Sequence, residues 1–423
     1  MFRGVGLRKT VEQPVLDLNF AAAGALDSRI TFSRGTSATF VGSNGLIQTA
    51  GNNVARFDHD PATNTPRGLM IEEARTNIAP NSHEFNAAAG VTRSADAHTA
   101  PDGATTADEF TISSSNQSHQ ITNVGLAASD VTIGTVHAVS FFVKLINGTP
   151  NIGVRGFGKG GFNTFPIFDL NAGTVVNVGS GWESGTAIES FGNGWFRCKC
   201  VVNPSSQFAP LIHLLASGDT TGTGTFTGNG TDKVAVWGGQ LEVGSFVTSH
   251  IATTGSTATR NADVATMGPT NSKPFEEYNP AEGTVLFEAS VPAGMASYSS
   301  FFNITDDGVF TDRVSIINND TNSQIYTQVR TGGSTLLNTF SNSVSYTLGQ
   351  NFRVALAYAA SDFASTVDAS TVRTATSGAV PAMDSIKIGI DANNATPGCF
   401  HARRVRIFSN RLPDSILQSL TSD

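Results

Sequence analysis

The sequence predicts an all-β protein, two antiparallel β-sandwich domains following an irregular N-terminal region. Three observations carry this. Charge is light (14%) and glycine abundant (43 residues) in a chain of 423 residues, a composition that suits many strands joined by turns. Apolar residues alternate with period two in many short segments, divided by Gly, Pro, Asn and Ser clusters. No fixed repeat of roughly 20 to 50 residues runs through the chain, which argues against a solenoid or propeller. The length exceeds what one hydrophobic core usually serves, so two or three domains are expected.

Residues 1–80 carry short apolar pieces (VLDLNF, ITFSRG, ATFVGSNGLIQTA), then the loop-like RFDHDPATNTPRG and a short LMIEEARTN segment. This reads as an extended connector with little core of its own. From residue 81 to 263 the strand signal strengthens. In AVSFFVKLI, Val139, Phe141, Val143 and Leu145 share one face, and Ser140, Phe142, Lys144 and Ile146 the other. Further strands are expected at DEFTIS, FPIFDL, TVVNV, GWFRCKCVV, PLIHLLA and KVAVWGGQLEV, the spacing of an antiparallel sandwich or jelly roll.

Residues 264–282 read as a linker, because MGPTNSKPFEEYNPAEG holds three prolines and no periodicity. Strands resume over 283–423. TVLFEASV aligns Val285, Phe287, Ala289 and Val291; FRVALAY aligns Phe352, Val354, Leu356 and Tyr358; SIKIGI aligns Ile386, Ile388 and Ile390. Each is a half-buried strand by pattern. Pro413 and Asp414 are helix-start signals, after which Ile416, Leu417 and Leu420 fall on one side of a short helix.

The balance of residue types excludes several functions. Aromatics are dominated by 28 Phe against 5 Tyr and 3 Trp, and phenylalanine has no polar edge to offer a ligand, so most rings belong to the core. The net charge of −8 comes without a Lys/Arg cluster of the sort that tracks phosphates, which argues against nucleic acid and anionic membranes as partners. Three cysteines cannot complete a disulfide framework, and Cys198 and Cys200, two apart on a strand, point to one face without bridging. The N-terminus lacks the apolar core of a secretory signal. A chain made in a cytoplasm and released by lysis fits these features.

Two stretches resemble a known family. LDLNF…SRITFSRGTSATFVGSNGLIQTAGNNVARFDHDP…PRGLMIEEARTN (16–77) resembles a segment of phage and prophage tail or fibre proteins, and VAVWGGQLEVGSFVTSHIATTGSTATRNAD (234–263) is similar to the end of the sandwich module that follows it. NGWFRC (193–198) matches that module too. Residues 283–423 resemble laminin-G-like, concanavalin-type sandwiches through GTVLFEASV, FRVALAYAASDFASTVDASTV and SIKIGI…RRVRIFSNRLPDSILQSL. The resemblance implies an N-terminal virion-attachment region, a jelly roll like carbohydrate-binding modules and a lectin-like last domain. It also implies a homotrimeric fibre, although no coiled-coil heptad supports that.

Candidate sites follow from sugar chemistry, in which a flat ring stacks on a pyranose while amides and carboxylates meet its hydroxyls. Trp182, in the loop SGWESG, and Tyr298, in GMASYSSFF, are the candidate sugar-binding residues. The plainer readings are a loop tryptophan folded onto the core and an ordinary strand tyrosine; Trp195 and Trp237 lie in apolar strands and read as core. Asp306, Asp307 and Asp312 in NITDDGVFTDR are candidate Ca2+ ligands, the oxygen set a hard cation prefers, beside the reading of a solvated turn. Asp58, His59 and Asp60 read as a loop of mixed charge.

A polysaccharide-cleaving enzyme would need two carboxylates flanking the scissile bond, one with a raised pKa. Glu183 with Glu189 and Glu72 with Glu73 are the available pairs, and nothing around either marks a buried acid. The sequence lacks G-x-S-x-G, H-E-x-x-H and P-loop motifs. The expectation is therefore a non-enzymatic virion component, a tail fibre or spike binding host surface glycans and contacting other virion proteins. The alternatives are a head-fibre or tail-adaptor protein without a glycan ligand and, less favoured, a polysaccharide depolymerase.

Overall fold

The computed structural model describes residues 12–155, 166–207, 209–222, 224–268, 278–296, 298–306, 309–319, 323–339, 343–391 and 397–422. The chain is all-β, with one α-helix among the described residues. It divides into two compact units. The first is Phe32–Asp263 with Ala293–Met295; the second joins the described residues up to Thr31 with Val264–Pro292 and those from Ala296 onward.

The first unit is a sandwich of two antiparallel sheets. One sheet runs Ala187–Ser190, Trp195–Val202, His137–Asn147, Lys233–Val243, Thr105–Ile112, Val91–Thr99. The other runs Thr174–Asn177, Ile167–Asp169, Asn151–Arg155, Leu211–Leu215, Asn116–Asn123, Thr225–Thr227, with Phe85–Ala89 also paired to Asn116–Asn123. The core between them takes Phe110, Phe141, Val143 and Val234 from the first sheet and Ile121, Ile152, Val154 and Leu214 from the second. Period-two alternation aims these side chains inward. Cys198 and Cys200 face this core as free thiols, and burial pushes both above the ordinary thiol range, leaving them as inert packing groups.

The opposite face of the strand His137–Asn147 is apolar as well, because Phe142 points away from Phe141. Here the expectation of a separate connector over residues 1–80 is corrected. The hairpin Ala38–Val41 with Ile47–Ala50 places Val41 and Ile47 in one buried cluster with Phe142, Phe191, Trp195 and Trp237. A sheet with two apolar faces requires a cover on each, and residues 32–80 supply one of them.

The second unit is a two-sheet sandwich. One sheet runs Arg373–Ala375, Asp362–Val367, Asn351–Ala359, Glu282–Ser290, Phe400–Phe408, and Leu16–Asn19 lies along Phe400–Phe408 with Leu16 opposite Ile407 and Leu18 opposite Val405. The N-terminal LDLN segment is thus a strand of this sandwich. The facing sheet runs Val264–Met267, Ser385–Ile388, Ser300–Asp306, Val309–Asn319, Gln324–Thr331, Ser334–Asn338, with Val344–Ser345 also on Gln324–Thr331. Val264–Met267 therefore belongs to a sheet, not to the linker expected over 264–282; residues 269–277 of that linker, like residues 1–11, lie outside the described residues.

Phenylalanines fill the core of this unit. Phe287 sits 5.7 Å from Phe302 and Phe301 5.1 Å from both Phe352 and Phe400, ring centre to ring centre. Glu282–Ser290 and Asn351–Ala359, expected to be half-buried, are buried on both faces, because the helix Asp414–Thr421 covers the outer one. Its Leu417, with Ile416 and Leu420 beside it, packs on Leu286, Ala355, Ala357, Ala364 and Phe408. Alternating small alanines on Asn351–Ala359 leave the room that the helix occupies.

Candidate functional site

Five charged residues from residues 34–77 and 234–263 converge in the first unit as a buried ionic network. Arg34, just after Thr31–Ser33, pairs with Asp263, nitrogen to oxygen 2.9 Å. Arg56 bridges Asp263 and Glu72, the latter at 2.7 Å. Arg260 reaches the same Glu72 oxygen at 3.3 Å. Glu72 also accepts from the Ser249 N–H (2.7 Å) and hydroxyl (2.6 Å), while its own N–H donates to Asp263 at 2.9 Å.

Buried charges are tolerated only when paired and hydrogen-bonded, and the terminal nitrogens of this network meet that demand, while the Nε atoms of Arg56 and Arg260 are buried without a partner. Arg34 donates to the carbonyls of Thr36, Gly51 and Val54, Arg56 to that of Thr39, and Arg260 to that of Glu73. Burial alone would raise the Glu72 carboxyl; Arg260 and Arg56 overcome it and hold the group well below the usual carboxylate range. Asn77 extends the fastening. Its side-chain oxygen accepts from the N–H groups of Ala79 and Leu241, and its amide donates to the carbonyls of Gly239 and Ile251.

Above the network lies a cleft of about 390 Å³. Its walls are Gly35–Thr39, Thr49 and Asn52 on one side and His250–Ala252 with Ala258–Arg260 on the other. Arg34 anchors the start of the first wall and Arg260 the end of the second. Cross-ties hold the walls together: the Asn261 N–H donates to the Thr36 hydroxyl at 2.9 Å, and the Thr39 hydroxyl donates to the His250 carbonyl. Thr36, Ser37, Thr39, Thr49, Thr259 and Asn52 line it between small apolar Ala38, Ala252 and Ala258; of their hydroxyls, that of Thr39 is spent on His250 and that of Thr259 pairs with the Thr76 hydroxyl at 2.8 Å. No Asp or Glu lines it among the described residues.

His250 forms part of the floor. Its ring lies 4.8 Å from Trp237, and its Nε2 is 3.1 Å from His83 Nε2. Burial, then the neighbouring His83 and Arg197, drive its pKa well below the ordinary histidine value, so the ring is neutral. The cleft can therefore hydrogen-bond a polyhydroxylated ligand but holds no acid–base pair.

The sequence-predicted residues lie elsewhere. Trp182, in the first unit, is half-buried and packs against the sandwich core and a smaller cluster around Val139 and Val202. Tyr298, in the second unit, is 49% exposed and has a positive φ of 59°. The two aromatics thus belong to different units. Asp312 accepts from the hydroxyls of Thr311 (2.9 Å) and Thr331 (3.1 Å) and from the Gly332 N–H (3.0 Å), the bonding of a structural turn. Asp306 ends the strand Ser300–Asp306, and Asp307 lies outside the described residues. No cluster of three or more His, Cys, Asp or Glu suited to a metal ion occurs among the described residues.

The carboxylate pairs diverge. Glu72 belongs to the network, and Glu73 pairs with Arg75. Glu189 is held by Lys199 at 2.6 Å and Arg67 at 3.2 Å; against burial, these cations lower it to about 2, the reverse of a proton donor's tuning. Asp60 joins Arg67 at 2.9 Å, and Asp58 accepts from the Val41 N–H at 2.7 Å. Sequence reasoning missed both network and cleft. The available signal was the number of arginines and carboxylates in segments otherwise poor in charge.

No protein-family model matches the sequence, and no curated protein matches it. Among solved structures, the chain is similar to a Ruminococcus gnavus IT-sialidase CBM40 bound to α2,3-sialyllactose (13% identity, 34% of this chain and 84% of that one, TM-score 0.30). It is similar also to the NanB sialidase of Streptococcus pneumoniae (12%, 37% of this chain, TM-score 0.30), of which it spans only 28%. A third similarity is to domains LG4-5 of the mouse laminin α1 chain (10%, 78% of this chain and 92% of that one, TM-score 0.24). Likeness this distant identifies neither a ligand nor a family.

Proposed function

We propose that this protein is a non-enzymatic structural component of a phage particle, a fibre or spike that engages host surface glycans through the cleft of its first sandwich. The observation that carries the glycan reading is the lining: five hydroxyl-bearing residues and an asparagine on two walls, of which the Thr36, Thr39 and Thr259 hydroxyls already bond within the protein, with a volume at the lower end of small-molecule sites, roughly 300–1,000 Å³. The absence of Asp and Glu from the described lining favours binding over hydrolysis at this place. The phage reading rests on the resemblance of residues 16–77 and 234–263, of which Arg34, Arg56, Glu72, Arg260 and Asp263 meet in the buried network beneath the cleft. A single hydroxyl-lined site binds weakly, and repeated copies on a particle raise the effective concentration.

A glycan array probed with the full chain tests the proposal. Binding above background that disappears in a Thr49→Trp variant, whose indole fills the cleft, supports it. A clean negative favours an adaptor that contacts only virion neighbours. Incubation with host polysaccharide should leave the polymer intact; shortened fragments would overturn the non-enzymatic assignment. Imaging of intact particles with this chain labelled tests its place on the virion.

A further inference from the structure

We infer that the cleft selects uncharged sugars and discriminates against glycans carrying sialic acid, uronic acid or sulfate. The inference rests on the glycan-binding reading above and names its ligand class. Two groups in the lining have a basic side chain, Arg260 and His250. The terminal nitrogens of Arg260 are committed: one donates to the Thr248 hydroxyl at 3.0 Å and the Ser249 hydroxyl at 3.1 Å beside Glu72, the other to the Glu73 carbonyl at 2.6 Å. The fork that would clasp a carboxylate or sulfate is thus already used. His250 is neutral, and its Nε2 faces His83.

The network below holds one more arginine than carboxylate, counting Arg34, Arg56 and Arg260 against Glu72 and Asp263. These guanidiniums are at most 1% exposed and bond protein oxygens, so none can pair with an acidic sugar. An anion entering the cleft would lose hydration and meet the network's single excess positive charge only at a distance, without a direct hydrogen-bonded partner, which costs free energy. The hydroxyls of an uncharged sugar both donate and accept, matching Thr, Ser and Asn side chains in either sense. The chain's net charge of −8 further slows the approach of polyanions. No Phe, Tyr or Trp lines the cleft among the described residues, so selection rests on hydroxyl contacts rather than stacking on a large ring.

Affinities of the full chain for neutral oligosaccharides and for matched ones bearing sialic acid, uronic acid or sulfate provide the test. The expected result is at least about tenfold tighter binding of the neutral members, abolished by Thr49→Trp and shifted toward the acidic members by Thr49→Lys. Acidic members binding equally or better, with Thr49→Trp still abolishing it, would overturn the inference and leave the glycan reading intact. Binding that survives Thr49→Trp would overturn the inference by placing the ligand elsewhere. No binding of any member removes both. Unchanged denaturation midpoints of the two variants, whose substituted position is exposed on Ile47–Ala50, establish that they fold.

Discussion

Arg34 and Asp263 stand 229 positions apart in sequence and form an ion pair with both side chains fully buried. The pair ties the start of the first sandwich's chain to its end, and Arg56 shares the same carboxylate. Asp263→Ala strands two buried guanidiniums, so a loss of about 3–5 kcal/mol is expected. Denaturant unfolding of the full chain, followed by the fluorescence of the first unit's tryptophans, measures it. A change below about 1 kcal/mol, the scale of an exposed pair, would contradict the buried network.

Acid should weaken the protein in two overlapping stages. His213 has its pKa lowered to about 4, by burial first and then by Arg155 and His119. The unfolded chain therefore binds more protons than the folded one between about 6.5 and about 4, and stability falls as pH drops through that window. Glu189 is lowered from 4.5 to about 2, so its contribution is complete above 4.5 and is lost as pH falls toward 2. Thermal midpoints measured from pH 7 to pH 3 should decline throughout. A flat profile between pH 6.5 and 4 would contradict the buried neutral histidine.

Leu417 is the fully buried contact of the terminal helix. Leu417→Ala should cost about 2–5 kcal/mol, the range for a buried leucine whose site cannot collapse. Limited proteolysis should then cleave the C-terminal segment faster than in the parent chain.

Trp182→Ala separates packing from recognition. The ring packs against core residues of the first unit, so the variant should lose roughly 1–3 kcal/mol while glycan binding, measured where the variant remains folded, stays unchanged. Loss of binding by the folded variant would move the sugar site from the cleft to this loop.

Chelation should leave the melting temperature of the second unit unchanged. Both oxygens of Asp312 are occupied by donors from Thr311, Thr331 and Gly332. A fall in midpoint with EDTA, restored by calcium, would assign an ion to this turn.

Strand periodicity made much of both cores legible in the sequence. Phe141 and Val143 point inward as alternation requires, and the helix begins at Asp414 with its apolar side against the sheet. What could not be read was the partner of each second face. Phe142 is apolar whatever covers it, and period two identifies a face without naming the segment that buries it. The network was invisible for a related reason. Arg34, Arg56, Glu72 and Asp263 look like ordinary surface residues one at a time, and only the fold brings 229 residues of separation down to a hydrogen bond. The cleft, made of Thr, Ser, Asn and Ala, has no composition that differs from a loop.

The pairing of Leu16–Asn19 with Phe400–Phe408 also dictates an order of assembly. During synthesis Leu16–Asn19 waits for this neighbour until Phe400–Phe408 has been made. The sandwich encoded between them has all its strands available well before then and can close first, since domains generally fold as units during synthesis. Truncation before Phe400 would accordingly spare the first sandwich and leave the second without its seam.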